Sequence, residues 1–274
     1  NIDGFAYEQD KIALEDRPEI DRWIISLLNS LQKEVREDFA NYEPTQAARK
    51  VQSFVDEHLS NWYVRLCRRR FWKGEYEHDK ISAYQTLYEC LASISKMMAP
   101  IAPFFADWLY QNLNDATNLE STESVHLALF PEADESAIDK KLEQRMDYAQ
   151  RISSLVLSLR KKESIRVRQP LKKILLPILD ASFQDQVEAV KDLILAEVNV
   201  KEIEYITDTT GFIKKKAKPN FKTLGRRLGK HMKDANATIS NFDQETIAQI
   251  EKTNSYTLDF DGVHYDISLE DIDI

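Results

Sequence analysis

The 274-residue chain carries 37 Lys and Arg against 46 Asp and Glu, a net charge of −9, with 43% hydrophobic and 30% charged residues. That length allows one large domain or two ordinary ones with real cores, and no apolar run approaches the ~18 residues of a membrane span. Two cysteines, Cys67 and Cys90, exclude a disulfide framework and a cysteine-rich zinc site, five scattered histidines show no metal-ligand spacing, and the acidic total taken alone argues against nucleic acid.

Residues 18 to about 113 read as successive helices. Pro18 and Asp21 open the first, with Ile20, Trp23, Ile24, Leu27, Leu28, Leu31 and Val35 at three-four spacing on one face. Pro44 suits the first turn of a second helix, expected to run unbroken to about Lys73 with Gly74 as its stop. A third follows Asp79. Pro100 and Pro103 bound a turn into a fourth, which carries Phe104, Phe105, Trp108, Leu109 and Leu113. Residues 114–135 are acidic and turn-rich, and a fifth helix is expected over about 136–163. Helices of this length with broad apolar faces make a bundle.

The pattern then changes. Ile165 to Gln169 alternates as a strand should, and Ile174 to Leu179 is a short apolar run. Helix is expected over 183–196, strand over Val198–Ile206, and helix again over 221–239 and 243–252. Asp261-Gly262 between two alternating runs predicts a hairpin. The fold class expected is α+β, mainly α: a five-helix bundle over residues 1–150 and a small mixed α/β domain over 151–274.

The charge is distributed unevenly. Residues 61–74, 160–173 and 211–233 together carry +20 in 51 positions, and the other 223 carry −29. The protein is three basic islands on an acidic body. No Gly-x-Gly-x-x-Gly, phosphate loop, Gly-x-Ser-x-Gly or His-Glu-x-x-His occurs, and Ser95-Lys96-Met97 sits inside a helix, where a three-residue match to a nucleotide-binding loop is coincidence. Recognition is the better reading than catalysis.

The most informative stretch is Asn61-Trp-Tyr-Val-Arg-Leu-Cys-Arg-Arg-Arg-Phe-Trp-Lys73. On a 3.6-residue wheel Asn61, Arg65, Arg68 and Trp72 share one ridge, while Trp62 and Leu66 extend the core stripe. An amide, two guanidiniums and an indole in a row suit RNA: Arg grips phosphate, Asn bonds base edges, and Trp stacks. Read blandly, the same residues are a cationic helix C-terminus, favoured by the dipole, over buried aromatics. Lys218 to Lys230 repeats the theme with Lys218, Asn220, Lys222, Arg226, Arg227 and Lys230, and Arg166 and Arg168 lie in the middle island. Acidic flanks discourage indiscriminate polyanion binding, so three islands on an acidic chain point to a patterned contact surface.

At these residues the sequence resembles the C-terminal part of isoleucyl-tRNA synthetase, in the long form also found in eukaryotes. Asp21-Arg-Trp-Ile24 resembles the opening of that family's anticodon-binding bundle, and Asn61 to Trp72 is similar to its Arg-rich helix. Met98-Ala-Pro-Ile-Ala-Pro-Phe104 resembles a turn shared with the valyl, leucyl and methionyl enzymes. Val167-Arg-Gln-Pro-Leu171, Val198-Asn-Val-Lys-Glu202 and Lys218-Pro-Asn-Phe-Lys-Thr-Leu-Gly225 resemble the isoleucyl branch specifically.

The resemblance implies binding of the anticodon stem-loop of the isoleucine tRNA by Asn61, Arg65, Arg68, Arg69, Arg70 and Lys73, with Trp62 and Trp72 bracing or stacking. Arg166, Arg168, Lys218, Asn220, Lys222, Arg226, Arg227 and Lys230 form a secondary set. The family's His-Ile-Gly-His and Lys-Met-Ser-Lys-Ser signatures do not occur here. The chain therefore reads as a non-catalytic piece of a longer cytoplasmic enzyme, whose catalytic and editing domains are its partners and whose ATP and Mg bind elsewhere. No metal is expected, because the zinc-binding cysteine cluster of the short bacterial form is not seen. The alternatives are the anticodon domain of a related class I synthetase, or a helical protein-interaction module.

Overall fold

A computed structural model describes residues 4–73, 75–178, 180–206, 215–260 and 262–274, the side chain of Arg226 excepted. Helix takes 64% of the chain, as a mainly-α α+β fold requires. Two compact units are present. The first comprises Asn1–Ile174 and Asp180–Ile203, and the second Leu175–Leu179 and Glu204–Ile274.

The first unit is built around α1 (Glu19–Ala40), which follows Pro18. Its apolar face is wide enough to meet three neighbours, and Trp23, Ile24 and Val35 are fully enclosed. They are covered by α2 (Pro44–Ser53), α4 (His78–Met98) and α6 (Lys140–Lys162). Pro44 and Pro103 each sit in a helix's first turn, where the missing N–H is not needed. The helix that Pro103 opens, α5 (Pro103–Thr117), returns against α4. Asp139 caps α6 by accepting the N–H groups of Lys141 and Leu142, both at 3.0 Å. The segment before α1 packs along α4: Phe5 stacks on Tyr84 at 5.1 Å, and the buried Arg17 donates to Thr86 and Glu89. Two further helices, α7 (Ala181–Ala189) and α8 (Lys191–Val198), lie against α6.

Three expectations for the first unit are corrected here. The second helix is not one regular rod to Lys73. After α2 it widens into a π-helical segment, Phe54–Val64, breaks at Cys67 (φ −81, ψ 3) and resumes as the short α3 (Arg68–Trp72). Phe54, Leu59, Trp62 and Tyr63 of this segment are all buried in the core. The expected stop, Gly74, lies outside the described residues.

Second, Ile165–Gln169 is a turn, not a strand. Ser164 in the left-handed region (φ 57) closes α6, the N–H of Ile165 returns to the carbonyl of Arg160 (2.8 Å), and that of Gln169 to Arg166 (3.0 Å). The chain extends only afterwards, as β1 (Leu171–Pro177), which pairs with β2 (Val200–Ile206). Third, helix over 183–196 divides at Val190 into α7 and α8.

Position 150 falls inside α6, a continuous helix whose buried face belongs to the bundle. The compact units accordingly divide later, within β1 and β2. The second unit holds α9 (Phe221–Leu228), α10 (Met232–Ser240) and α11 (Gln244–Thr253). Gly229 (φ 50) separates the first two, so the helix expected over 221–239 is interrupted. The hairpin of β4 (Tyr256–Phe260) and β5 (Val263–Ile267) is antiparallel, with Leu258 opposite Tyr265 and Phe260 opposite Val263. Gly262 in its turn has φ 76, and Asp261 lies outside the described residues. A short ladder pairs β3 (Lys218–Pro219) with β6 (Ile272–Asp273). Leu224, Ile239, Ile247, Ile250, Leu258 and Ile267 form this unit's core.

Candidate nucleic-acid interface

The Arg-rich segment begins in the π-helical turn. Trp62 and Tyr63 face inward, Trp62 being only 8% exposed. Asn61 and Arg65 face outward: the Arg65 Nε donates to the Asn61 carbonyl at 2.6 Å. The break at Cys67 then redirects the chain, so the predicted ridge is two pairs, not one row. In the second pair the Arg68 guanidinium sits 5.7 Å from the Trp72 ring centroid, and Trp72 is 66% exposed. An exposed indole with a cation already on one face is an amphipathic platform for a base or a second cation. Arg69 and Lys73 are exposed beside it.

Arg70 has a different role. Its Nη1 and Nη2 donate to the two oxygens of Asp21 at 2.6 and 2.8 Å, and its Nε to Asp79 at 3.0 Å. Asp21, fully buried, also accepts from Tyr63 Oη (2.9 Å) and Ser82 Oγ (2.6 Å). Burial pulls the pKa of Arg70 down, but its bonds to Asp21 outweigh that and hold it above the usual arginine value. Asp21, which the sequence offers only as a helix opener, is the hub that ties α1, the π segment, α3 and α4 together. Trp62 and Arg70 therefore belong to the scaffold, while Asn61, Arg65, Arg68, Arg69, Trp72 and Lys73 are the outward residues of the first island.

Arg65 is also gripped from α8: its Nη1 lies 2.7 and 2.9 Å from the two carboxylate oxygens of Glu197. No sequence signal marks Glu197, because it stands 132 positions away. In the second island Arg166 and Arg168 are exposed on the turn that follows α6, and Arg160 is buried beneath it.

In the second unit, Lys218, Lys222 and Lys230 are exposed. Asn220 is a cap: its side chain accepts the Lys222 N–H at 3.1 Å and donates to the Glu270 carbonyl at 3.2 Å. Arg227 bonds the nearly buried Asp271 at 2.7 Å and the Asp266 carbonyl. The Asp271 carboxyl, pushed up by burial but drawn down further by Arg227 and the Ser268 N–H, lies below the usual range. Asn220 and Arg227 thus hold β6 and the hairpin in place, and the side chain of Arg226 lies outside the described residues.

Among the described residues no group of three His, Cys, Asp or Glu is placed to hold a metal ion, and none of their helices is long and apolar enough to cross a membrane. What the surface offers is cations and an indole on rigid elements, a chemistry suited to a phosphate chain with unstacked bases.

The chain belongs to the family described as the anticodon-binding domain of tRNA ligases, whose pattern matches residues 21–175. Among curated proteins it is 50% identical over 274 residues to an isoleucine–tRNA ligase of Bacteroides thetaiotaomicron, a match covering all of this chain and 24% of that protein. It is 50% identical to that of Cytophaga hutchinsonii, across the whole chain and 25% of the relative. With the isoleucine–tRNA ligase of Chlamydia caviae it shares 36% over 271 residues, covering 99% of this chain and 25% of the relative. The chain thus spans about a quarter of the length of the curated relatives it matches.

Proposed function

We propose that this chain is the anticodon-recognition region of an isoleucine–tRNA ligase, working by docking and not by bond chemistry. It holds the anticodon stem-loop of the isoleucine tRNA so that the acceptor end reaches a catalytic domain elsewhere in the ligase. ATP and Mg are used in that domain, in the cytoplasm, and editing belongs to other domains of the same polypeptide. The single observation that carries the reading is the Arg68–Trp72 pair: a solvent-facing indole under a guanidinium, inside the matched segment. Arg65, Arg68, Arg69 and Lys73 meet phosphates and Asn61 a base edge. Arg166, Arg168, Lys218, Lys222, Arg226 and Lys230 supply further phosphate contacts. Asn220 and Arg227 act through the backbone they hold.

The test is binding of isoleucine tRNA, an anticodon-swapped version and methionine tRNA across a salt series. Tighter, strongly salt-dependent binding of the first is expected, and Arg68→Ala with Trp72→Ala should weaken it by about 5- to 150-fold, since stacking of one base contributes ~1–3 kcal/mol. Equal affinity for all three, or binding that ignores salt, would sink the reading.

A second reading, a protein-interaction module, has one observation in its favour. Phe104, Phe105 and Trp108 on the first turns of α5 are 57–89% exposed, beside an apolar cleft of about 360 Å³ lined by Val51, Val55, Leu59, Ile94 and Met98. So many large apolar groups in one place exceed the scatter of an ordinary surface. Undetectable binding of every tRNA would favour it.

A further inference from the structure

The buried cation in the second island has no task in the reading above, which this inference deepens and on which it rests. Arg160 is 3% exposed. Its Nη1 donates to the carbonyls of Arg166 (3.1 Å) and Gln169 (3.0 Å), and its Nη2 to that of Asn199 (3.0 Å). Its Nε is buried with no hydrogen-bond partner. Burying a guanidinium against neutral carbonyls costs solvation that an apolar side chain of the same volume would not lose. What Arg160 achieves in return is geometric: a rigid fork fixes two carbonyls of one turn and one of the next segment.

The turn's third inward group is held separately. Asn199, in the left-handed region (φ 50) at the end of α8, donates from its side chain to the Val167 carbonyl at 2.9 Å. Its own carbonyl takes both Arg160 and the N–H of Leu171 (3.1 Å). With the carbonyls of Arg166, Val167 and Gln169 all turned inward, the side chains of Arg166, Val167 and Arg168 are exposed. Two residues before Asn199, Glu197 grips Arg65 of the first island. The bonded path from the Arg65 guanidinium through Glu197 and Asn199 to Val167 is no longer than ~20 Å.

We propose that the C-terminal end of α8 and the buried Arg160 join the first two basic islands into one continuous RNA-contact surface, with Arg160 the positioning residue for Arg166 and Arg168. The surface takes the phosphodiester backbone of a single RNA stem-loop, Arg65 and Arg68 on one side and the Arg166–Arg168 turn on the other. Glu197 and Asn199 set their spacing.

The probe is the isoleucine-tRNA anticodon stem-loop, bound by the full 274-residue chain across a salt series. Arg166→Ala with Arg168→Ala should weaken binding and lower the slope of log K against log salt by about 1.4–1.8, two contacts at ~0.7–0.9 each. Arg160→Lys, which keeps the charge and loses the fork, should also lower the slope although Arg160 cannot reach RNA. A general loss of folded protein would reduce the active fraction and leave the slope alone. If Arg160→Lys does not fold, Asn199→Gly carries the same test, since it keeps the left-handed backbone and removes the amide that holds Val167. A slope unmoved by Arg166→Ala with Arg168→Ala, or moved by them but not by the Arg160 or Asn199 variant, overturns the proposal while the functional reading stands. Wild-type protein that binds the stem-loop without salt dependence overturns that reading itself.

Discussion

Three consecutive arginines with three fates allow a sharp test, and Arg70 gives the clearest one. Arg70→Met removes a guanidinium that makes two charge-assisted bonds to a carboxylate with no exposure of its own. Among the described residues Asp21 would keep the Tyr63 and Ser82 hydroxyls as its side-chain donors. Breaking a buried pair from one side costs ~3–5 kcal/mol, because the remaining charge stays desolvated. The Arg70 side chain is 16% exposed, so water reaches the vacated space, and the loss should fall near ~3 kcal/mol. At ~2–4 °C per kcal/mol for a domain of this size class, the melting midpoint should drop by roughly 6–12 °C.

The assay pairs melts followed by circular dichroism with RNA titrations of the folded protein. The salt slope of the Arg70 variant should match wild type, whereas Arg68→Ala should cost less than ~0.5 kcal/mol of stability and lower the slope by ~0.7–0.9. Adding Asp21→Asn to Arg70→Met should cost less than the sum of the two single changes, since the stranded charge goes with it. An Arg70→Met protein that melts within a degree or two of wild type but binds with a shallower slope would refute the assignment of Arg70 to the scaffold.

Three other outcomes follow from the same geometry. Burial holds the His58 imidazole below its ordinary value of 6.5 against the opposing pull of Gln150, so the unfolded chain takes the proton more readily. The stability from neutral His58 is complete above pH 6.5 and lost as pH falls below it; urea midpoints measured from pH 7 to 5 should fall, and His58→Gln should flatten that component. Cys67 is pushed up to about 11 by burial, and Cys90, fully enclosed, is raised as well; both thiols should resist alkylation at pH 7 until urea unfolds the bundle, as mass spectrometry would show. Asn220→Ala should cost about 1 kcal/mol through the lost cap, seen in native-state hydrogen exchange across α9.

The sequence could declare the bundle because apolar spacing, prolines and caps act locally. Trp23, Ile24 and Val35 lie at one spacing on one helix, and Pro44 and Pro103 mark starts for a reason each carries alone. It could also declare the islands, since a window without acids is a property of order along the chain. It misplaced what depends on distant partners. Ile165-Arg-Val-Arg-Gln alternates like a strand, but the buried fork of Arg160 captures its carbonyls, so no ladder forms there. The 3.6-residue ridge through Asn61, Arg65, Arg68 and Trp72 survives as two pairs, because the backbone breaks at Cys67 between them.

By itself, then, the sequence determined the class of fold, the three basic islands and the family motifs that run through all three, since all of these are written in neighbouring residues. Only the tertiary structure decided which cations are spent inside. Arg70 and Arg160 look in the sequence like Arg68 and Arg168. What separates them is a carboxylate at Asp21, 49 positions away, and a carbonyl at Asn199, 39 positions away. A charge faces water or the core according to what the fold sets opposite it, and no local pattern encodes that.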